Sequence, residues 1–183
     1  MHVPYQSQHA EDVPLEWRSR ACGIVSLRMA LCAYGAPVPD IATFIKEAEY
    51  VQAFSKEGYW VHQRLTWLAH NYGIPAYSEE FRSDTVDMTQ GTHAESPYAL
   101  SLRDYGLQKI THTLMHGGLV MVSVPRLFEQ GGHYHLVLLV GADRNTFIYH
   151  DPDVTPGAAL HISRETFLRY WRRYALFLGS VKE

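Results

Sequence analysis

Cys22 is the side chain whose type and position most directly suggest nucleophilic chemistry. It opens the segment CGIVSLRMALCAYG, in which apolar residues recur at helical spacing up to a stop at Gly35. A thiol near a helix N-terminus feels the positive end of the helix dipole, which favours the thiolate and lowers the thiol pKa. Ser19 is placed to cap the first turn. The alternative is a small buried residue, which is the role predicted for mid-helix Cys32.

A cysteine nucleophile needs a base within hydrogen-bond reach and a third group that orients the base. The segment GGHYH places His133 and His135 on the same face of a predicted strand. His135 is favoured as the base because it lies where the regular strand begins, with Val137 and Leu139 continuing its face. His133 is nearer the turn and remains open as the alternative.

Asp151 is the candidate for orienting the histidine. It follows the next predicted strand and precedes Pro152, which ends that strand. A carboxylate there can reach the imidazole, fix its tautomer and stabilise its protonated form. The alternative is that Asp151 only forms a turn before proline.

Acyl transfer also requires donors for a developing oxyanion. The backbone N–H of Cys22, at a helix start, is one such donor. The N-terminal segment VPYQSQ offers Gln6 and Gln8 as a second, and the residues alone do not choose between them.

The elements that carry these candidates are predicted to be helices first and an antiparallel sheet afterwards. This order indicates an α+β fold with segregated layers. The long polar stretch 78–104 shows no lasting period, and we expect part of it to border the substrate cleft. A short strand plus a surface excursion is the other interpretation of it. Apolar periodicity predicts helices over 22–34, 39–49, 60–72, 107–117 and 164–172, and strands over 119–124, 134–140, 146–150 and 174–178.

In order and spacing, VPYQSQ, RACGIVSLRMAL, GGHYHLVLLVGAD and IYHDPD resemble the peptidase family thirty-nine-like group of papain-like cysteine peptidases, relatives of the bacteriocin leader-processing peptidases. The resemblance implies a papain-like fold and a cysteine peptidase or amide hydrolase that works through an acyl-enzyme thioester. It implies Cys22 as nucleophile, His135 as base and Asp151 as orienting residue. It also selects Gln8 over Gln6 for the oxyanion.

The bulk properties predict one soluble domain spanning residues 1–183, and the resemblance implies that it acts on a peptide or small amide substrate. The chain has 46% hydrophobic residues and a formal charge of −3, with no basic run suited to nucleic acid. No apolar stretch is long enough for a membrane span, and no secretion signal is visible, so a cytoplasmic location is expected. Cys22 and Cys32 are too far apart along one helix to form a disulfide.

Two other function classes compete with hydrolysis. His133 and His135, together with His150, Asp151 or Asp153, supply ligand types suited to zinc or a related ion, although no metal or other cofactor is expected. A non-catalytic papain-like module is the second class. It would use Trp17, Trp60 and Tyr134 in the cleft to bind a peptide or another ligand.

Overall fold

A computed structural model describes residues 1–82 and 97–179 of the chain. The helices of this part are α1 (Cys22–Ala33), α2 (Ile41–Tyr50), α3 (His62–Asn71), α4 (Pro97–Met115) and α5 (Arg164–Tyr170). Its strands are β1 (Ala76–Glu80), β2 (Leu119–Pro125), β3 (Tyr134–Ala142), β4 (Thr146–His150), β5 (Leu160–Ser163) and β6 (Tyr174–Leu178). None of the described helices is both long enough and apolar enough to cross a lipid bilayer.

The strands form one sheet in the order β1-β6-β2-β3-β4-β5, and every neighbouring pair is antiparallel. The sheet centre is formed by β2 and β3, with Val124 opposite His135 in the register. The hairpin partner β4 follows at Asp143, whose carboxylate accepts the backbone N–H of Thr146 at 2.7 Å. The predicted α+β class with an antiparallel sheet is therefore confirmed.

The central strands alternate in side-chain direction, so the sheet carries an apolar core on each face. Helices α1, α2 and α3 cover one face and α4 and α5 the other. Leu119, Met121, Leu136, Leu138, Leu176 and Leu178 belong to the first core. Val120, Val122, Val124, Val137, Leu139, Ala175 and Phe177 belong to the second.

Three elements differ from the sequence prediction: α4 is longer than predicted, β5 was not predicted, and β1 was anticipated only as a short strand in the alternative interpretation of the polar stretch. Helix α4 begins at Pro97, ten residues before the predicted 107–117 helix, because its first turns expose Tyr98, Leu100 and Leu102 and so show no one-sided apolar period. Strand β1 lies in the polar stretch 78–104 and just before it, and it pairs with β6. Part of the polar stretch was expected to border the cleft, and Arg82 from this stretch does line it. Residues 83–96 fall outside the described part.

The N-terminal residues pack against the loop that follows β4. Tyr5 donates its hydroxyl to the backbone oxygens of Asp151 (3.2 Å) and Val154 (2.8 Å). The Gln8 backbone N–H donates to Pro152 O at 2.8 Å. Any side chain at Gly157 would collide with this contact, because a Cβ there would lie 2.0 Å from Asp151 O. Residues 5–8 and 151–157 thus form one packed unit.

Candidate active site

A cleft of about 610 Å³ lies between the start of α1 and the sheet. Cys22 and His135 both line it, as does Gln8 from the N-terminal segment. Tyr134 and Trp60 form parts of opposite walls, and Trp60 packs so closely on α1 that a Cβ at Gly23 would lie 2.5 Å from its ring. The structure therefore brings three of the predicted site residues to a single cleft.

Cys22 is the first residue of α1 and is buried, with 8% of its surface exposed. Its N-cap is Ala21, and no side chain caps this helix end, so the expected Ser19 cap is not formed. As the first helical residue, Cys22 has a backbone N–H that needs no intrahelical acceptor and is available to a ligand. Cys22 and Cys32 are both free thiols, as predicted.

The surroundings of the Cys22 thiol oppose its ionisation. Burial raises the pKa of the thiol to about 11, and the carboxylates of Asp153 and Asp151 act in the same direction. Backbone hydrogen bonds from Leu136 and Gly23 act against this rise but are weaker. The lowered pKa expected for a thiol at a helix start is thus not found, because burial removes the hydration that stabilises a thiolate.

His135 is buried at the start of β3, and its two ring nitrogens have different surroundings. Nε2 lies 3.4 Å from Asp151 Oδ2, which is within ion-pair distance but outside hydrogen-bond geometry. Nδ1 has no hydrogen-bond partner in the described part of the chain. A proton on Nε2, directed at the carboxylate, leaves Nδ1 as the acceptor that can take a proton.

Asp151 is almost fully buried, with 1% of its surface exposed, and it is held from both sides. Its backbone N–H donates to Gly157 O at 2.8 Å. Its Oδ1 accepts the backbone N–H of Asp153 at 2.9 Å, which leaves Oδ2 facing His135. The carboxylate is therefore fixed in position before any substrate binds.

Gln8 lies in the cleft, whereas Gln6 points away from it. Gln6 Oε1 accepts from Arg28 at 2.8 Å, and its Nε2 donates to Asp12 at 3.2 Å. Gln8 Nε2 donates to Arg18 O and to Asp153 Oδ1, both at 2.9 Å, so both of its amide hydrogens are engaged. Gln8 Oε1 is buried without a partner in the described residues.

Asp153 belongs to the site, although the sequence suggested it only as a possible metal ligand. Its carboxylate contacts His9 Nε2 at 2.8 Å and Arg126 Nε at 2.5 Å in addition to Gln8. Burial acts to raise the pKa of Asp153, but the hydrogen bonds from His9 and Arg126 outweigh it, so the pKa is lowered. The repeated acid in HDPD was the available signal, since it sets a second carboxylate two residues after Asp151.

The other histidines near the cleft are arranged differently from the metal-site interpretation. His133 lies before β3, in the turn where its backbone oxygen accepts from Arg126 N at 3.0 Å, and its side chain is exposed at the cleft. His150 uses both ring nitrogens on backbone groups, Val3 O at 3.1 Å and Ala159 N at 2.9 Å. Over residues 1–82 and 97–179, no group of three or more candidate ligands is placed to hold a metal ion.

The family model for the Peptidase_C39 like family matches residues 1–175 of the chain. The protein belongs to the Peptidase_C39 like family. This membership confirms the resemblance found in the sequence and supports a cysteine peptidase function in general terms. No curated protein matches the chain in sequence.

Solved structures of C39 peptidase domains share the fold of this family member. A protein from Bacillus anthracis assigned as a C39-like peptidase matches with a TM-score of 0.65 and 18% identity, over 98% of this chain and 95% of its own. The peptidase domain of Streptococcus ComA, a bifunctional ABC transporter of a quorum-sensing pathway, matches with a TM-score of 0.60 and 19% identity, over 97% and 98%.

A third structure of the same fold contains a bound peptide. It is a double glycine motif protease from an AMS/PCAT transporter, in complex with its leader peptide. It matches with a TM-score of 0.57 and 18% identity, over 98% of this chain and 93% of its own. At these identities the likeness establishes the papain-like fold, and the reaction must be argued from this chain's own site.

Proposed function

We propose that this C39-like protein hydrolyses a peptide or small amide bond, with Cys22, His135, Asp151 and Gln8 as its reacting and stabilising groups. One observation carries the proposal. A buried thiol at a helix start shares a cleft with His135, an imidazole that faces a buried carboxylate on one side and has a free nitrogen on the other. The whole chain, residues 1–183, is proposed to act as one domain in the cytoplasm.

The raised thiol pKa determines how the first step proceeds. Since Cys22 begins as a thiol, the proton moves from Sγ to the partnerless Nδ1 of His135 as the sulfur attacks the carbonyl carbon. The imidazolium then protonates the leaving amine as the C–N bond breaks, and a thioester remains. Water attacks the thioester, His135 takes the water proton and returns it to the departing sulfur, and the carboxylic acid leaves.

Asp151 contributes by stabilising the imidazolium. When His135 gains a proton, its Nε2–H carries positive charge toward Oδ2, and the 3.4 Å separation can shorten into a charge-assisted hydrogen bond. Because the carboxylate is held by Gly157 and Asp153 through backbone groups, this requires little movement of Asp151. This stabilisation appears only once the His135 ring is charged. It therefore lowers the activation barrier, because it is absent from the resting state.

The tetrahedral oxyanion would be bound by the Cys22 backbone N–H and by Gln8 Nε2. Gln8 must first release one of its two acceptors, Arg18 O or Asp153 Oδ1. This exchange leaves the number of hydrogen bonds made by Gln8 nearly unchanged. The new bond is favourable because its acceptor oxygen is negatively charged. Substrate binding is therefore proposed to redirect the Gln8 amide.

A peptide pool prepared by proteolytic digestion of a denatured protein tests the proposal. Mass spectrometry should detect new cleavage products with the wild-type protein and with Cys32→Ala, and none with Cys22→Ala. Cys32→Ala is the matched control because it removes the same atom from the same helix. Equal cleavage by Cys22→Ala, or none by any of the three folded proteins, would overturn hydrolysis through this thiol.

A non-catalytic binding module is the second candidate, and two observations favour it. The Cys22 thiol is strongly disfavoured from ionising, and both Gln8 amide hydrogens are already engaged. In that case peptides from the same pool would be retained by wild type and Cys22→Ala alike, with no product formed. The cleavage and retention readouts therefore separate the two candidates.

A further inference from the structure

The cleft is basic, although the chain as a whole carries a formal charge of −3. Three arginines line it, Arg20, Arg82 and Arg172, and Asp153 is the one acidic residue among its described lining. Asp153 is itself paired with Arg126 and His9. The positive charge of the cleft is thus not neutralised from within.

Arg172 is the central positively charged group of the cleft. It is half-buried just before β6, and its guanidinium carbon lies 3.9 Å from the centre of the Tyr134 ring. Tyr134 immediately precedes His135, so this cation lies beside the strand that carries the proposed base. No described carboxylate pairs with Arg172, whereas Arg82 pairs with Glu80.

Arg20 also lines the cleft, two residues before Cys22 and the start of α1. Its guanidinium stacks over Trp17 at 4.8 Å, and its Nε donates to the backbone oxygen of Glu16 at 3.0 Å. Its own backbone oxygen accepts from Trp60 Nε1 at 2.8 Å. These contacts hold the side chain without neutralising it, since no described carboxylate pairs with Arg20.

The positive charge of Arg172 affects the pKa of its neighbour His62. His62 lines the same cleft, with its ring 4.2 Å from that of Tyr174. Burial, and after it the positive charge of Arg172, lowers the pKa of His62 to about 4. At neutral pH His62 is therefore uncharged and does not compete with Arg172 for an anion.

We propose that the cleft selects a peptide carrying a carboxylate, which Arg172 binds with Arg20 supporting it from beside the start of α1. The inference rests on the proposed function for the reaction but concerns the choice of substrate. A guanidinium that is already oriented by an aromatic ring binds a carboxylate with little further loss of freedom. The carboxylate can come from an acidic side chain or from the peptide C-terminus.

Short peptide mixtures with one position fixed as Glu or Gln, each as free acid and as C-terminal amide, test the proposal. Binding is measured by fluorescence anisotropy to Cys22→Ala, so no turnover is needed. If the carboxylate comes from an acidic side chain, mixtures with Glu at one position should bind roughly tenfold tighter than those with Gln. If it comes from the peptide C-terminus, free acids should bind tighter than amides by a similar factor. The preference should weaken as salt is raised.

Variants in the Cys22→Ala background assign the preference to its residue. Arg172→Gln should reduce the ratio to below about twofold, and Arg172→Lys, which keeps the charge without the planar fork, should retain part of it. Arg169→Gln removes one positive charge from an exposed helix position that pairs with Glu165 and should leave the ratio unchanged. Equal binding of all mixtures, or an undiminished ratio in both Arg172→Gln and Arg20→Gln, overturns the proposal.

The two proposals fail in distinguishable ways. A carboxylate preference in binding, with no cleavage by the Cys22-containing protein, removes the hydrolysis and leaves the specificity in place. Cleavage of Glu and Gln mixtures at equal rates, with acids and amides alike, removes the specificity and leaves the hydrolysis.

Discussion

Asp151 Oδ2 lies 3.4 Å from His135 Nε2, and both side chains are buried. The carboxylate is positioned by backbone groups, while the ring forms no hydrogen bond with any described residue. The pair is thus arranged so that its strongest interaction appears only when the ring is protonated. That property links the resting structure to the proposed proton transfer.

Replacing the two cleft histidines separately should identify the base. His135→Gln should lower kcat/KM for peptide cleavage by roughly 10²–10⁴-fold, since a buried proton acceptor is lost. His133→Gln, the matched control on the exposed turn, should stay within a few-fold of wild type. Comparable losses in the two variants would contradict the assignment of the base to His135.

Alkylation of Cys22 should report its raised pKa. In a Cys32→Ala protein, the iodoacetamide rate at Cys22 should rise about tenfold per pH unit through pH 8–10 and level off only near pH 11, because the thiolate is the reacting form. Mass spectrometry of the labelled peptide gives the rate. A plateau already reached at pH 6–7 would mean that a thiolate–imidazolium pair exists at rest.

Asp153→Asn should shift that alkylation profile to lower pH. The Asp153 charge is one of the groups that raise the pKa of Cys22, so its removal should move the profile by a few tenths of a pH unit. Glu165→Gln is the matched control, since it removes one negative charge from an exposed helix position. Identical shifts in both variants would show that Asp153 acts only through net charge.

His62 should make the fold sensitive to acid. Its pKa is lowered to about 4 in the folded protein and is near 6.5 in an unfolded chain, so the uncharged form favours folding. This contribution is complete above pH 6.5 and is lost as the pH falls through 4. Between pH 7 and 4.5, urea unfolding of wild type should lose about 1–2 kcal/mol more than His62→Gln, allowing for solvent screening.

The exposed variant His2→Gln provides the control for the acid dependence. It should follow the wild-type curve, since His2 is exposed in the structure. An equal loss of stability in wild type and His62→Gln would show that burial of His62 does not oppose its protonation.

Much of the fold could be predicted from the sequence because its signals are local. Helix α1 and strand β3 have clear apolar periods, and their ends place Cys22 and His135. Strand β1 and the first turns of α4 could not be located this way. β1 spans five residues and is defined by pairing with β6, about a hundred residues later, and the first turns of α4 expose apolar residues and so show no one-sided period.

The chemistry of the site could be predicted only in part. The types and order of Cys22 and His135 indicated a shared cleft, the family resemblance added Gln8, and all three line one cleft in the structure. The direction of the shift in the Cys22 pKa depends on how completely the rest of the fold buries α1. No local sequence pattern shows the extent of that burial. The interactions of Asp153 and Arg172 likewise depend on partners that are distant in sequence.

The contact between the N-terminal residues and the loop after β4 also sets when the site can form. Tyr5 and Asp151 are 146 positions apart, so the N-terminal segment waits for a segment that is synthesised much later. During synthesis on a ribosome, α1 can form while Gln8 and His135 still lack their final neighbours. A nascent chain therefore carries the Cys22 thiol long before residues 151–157 are present to complete the proposed site.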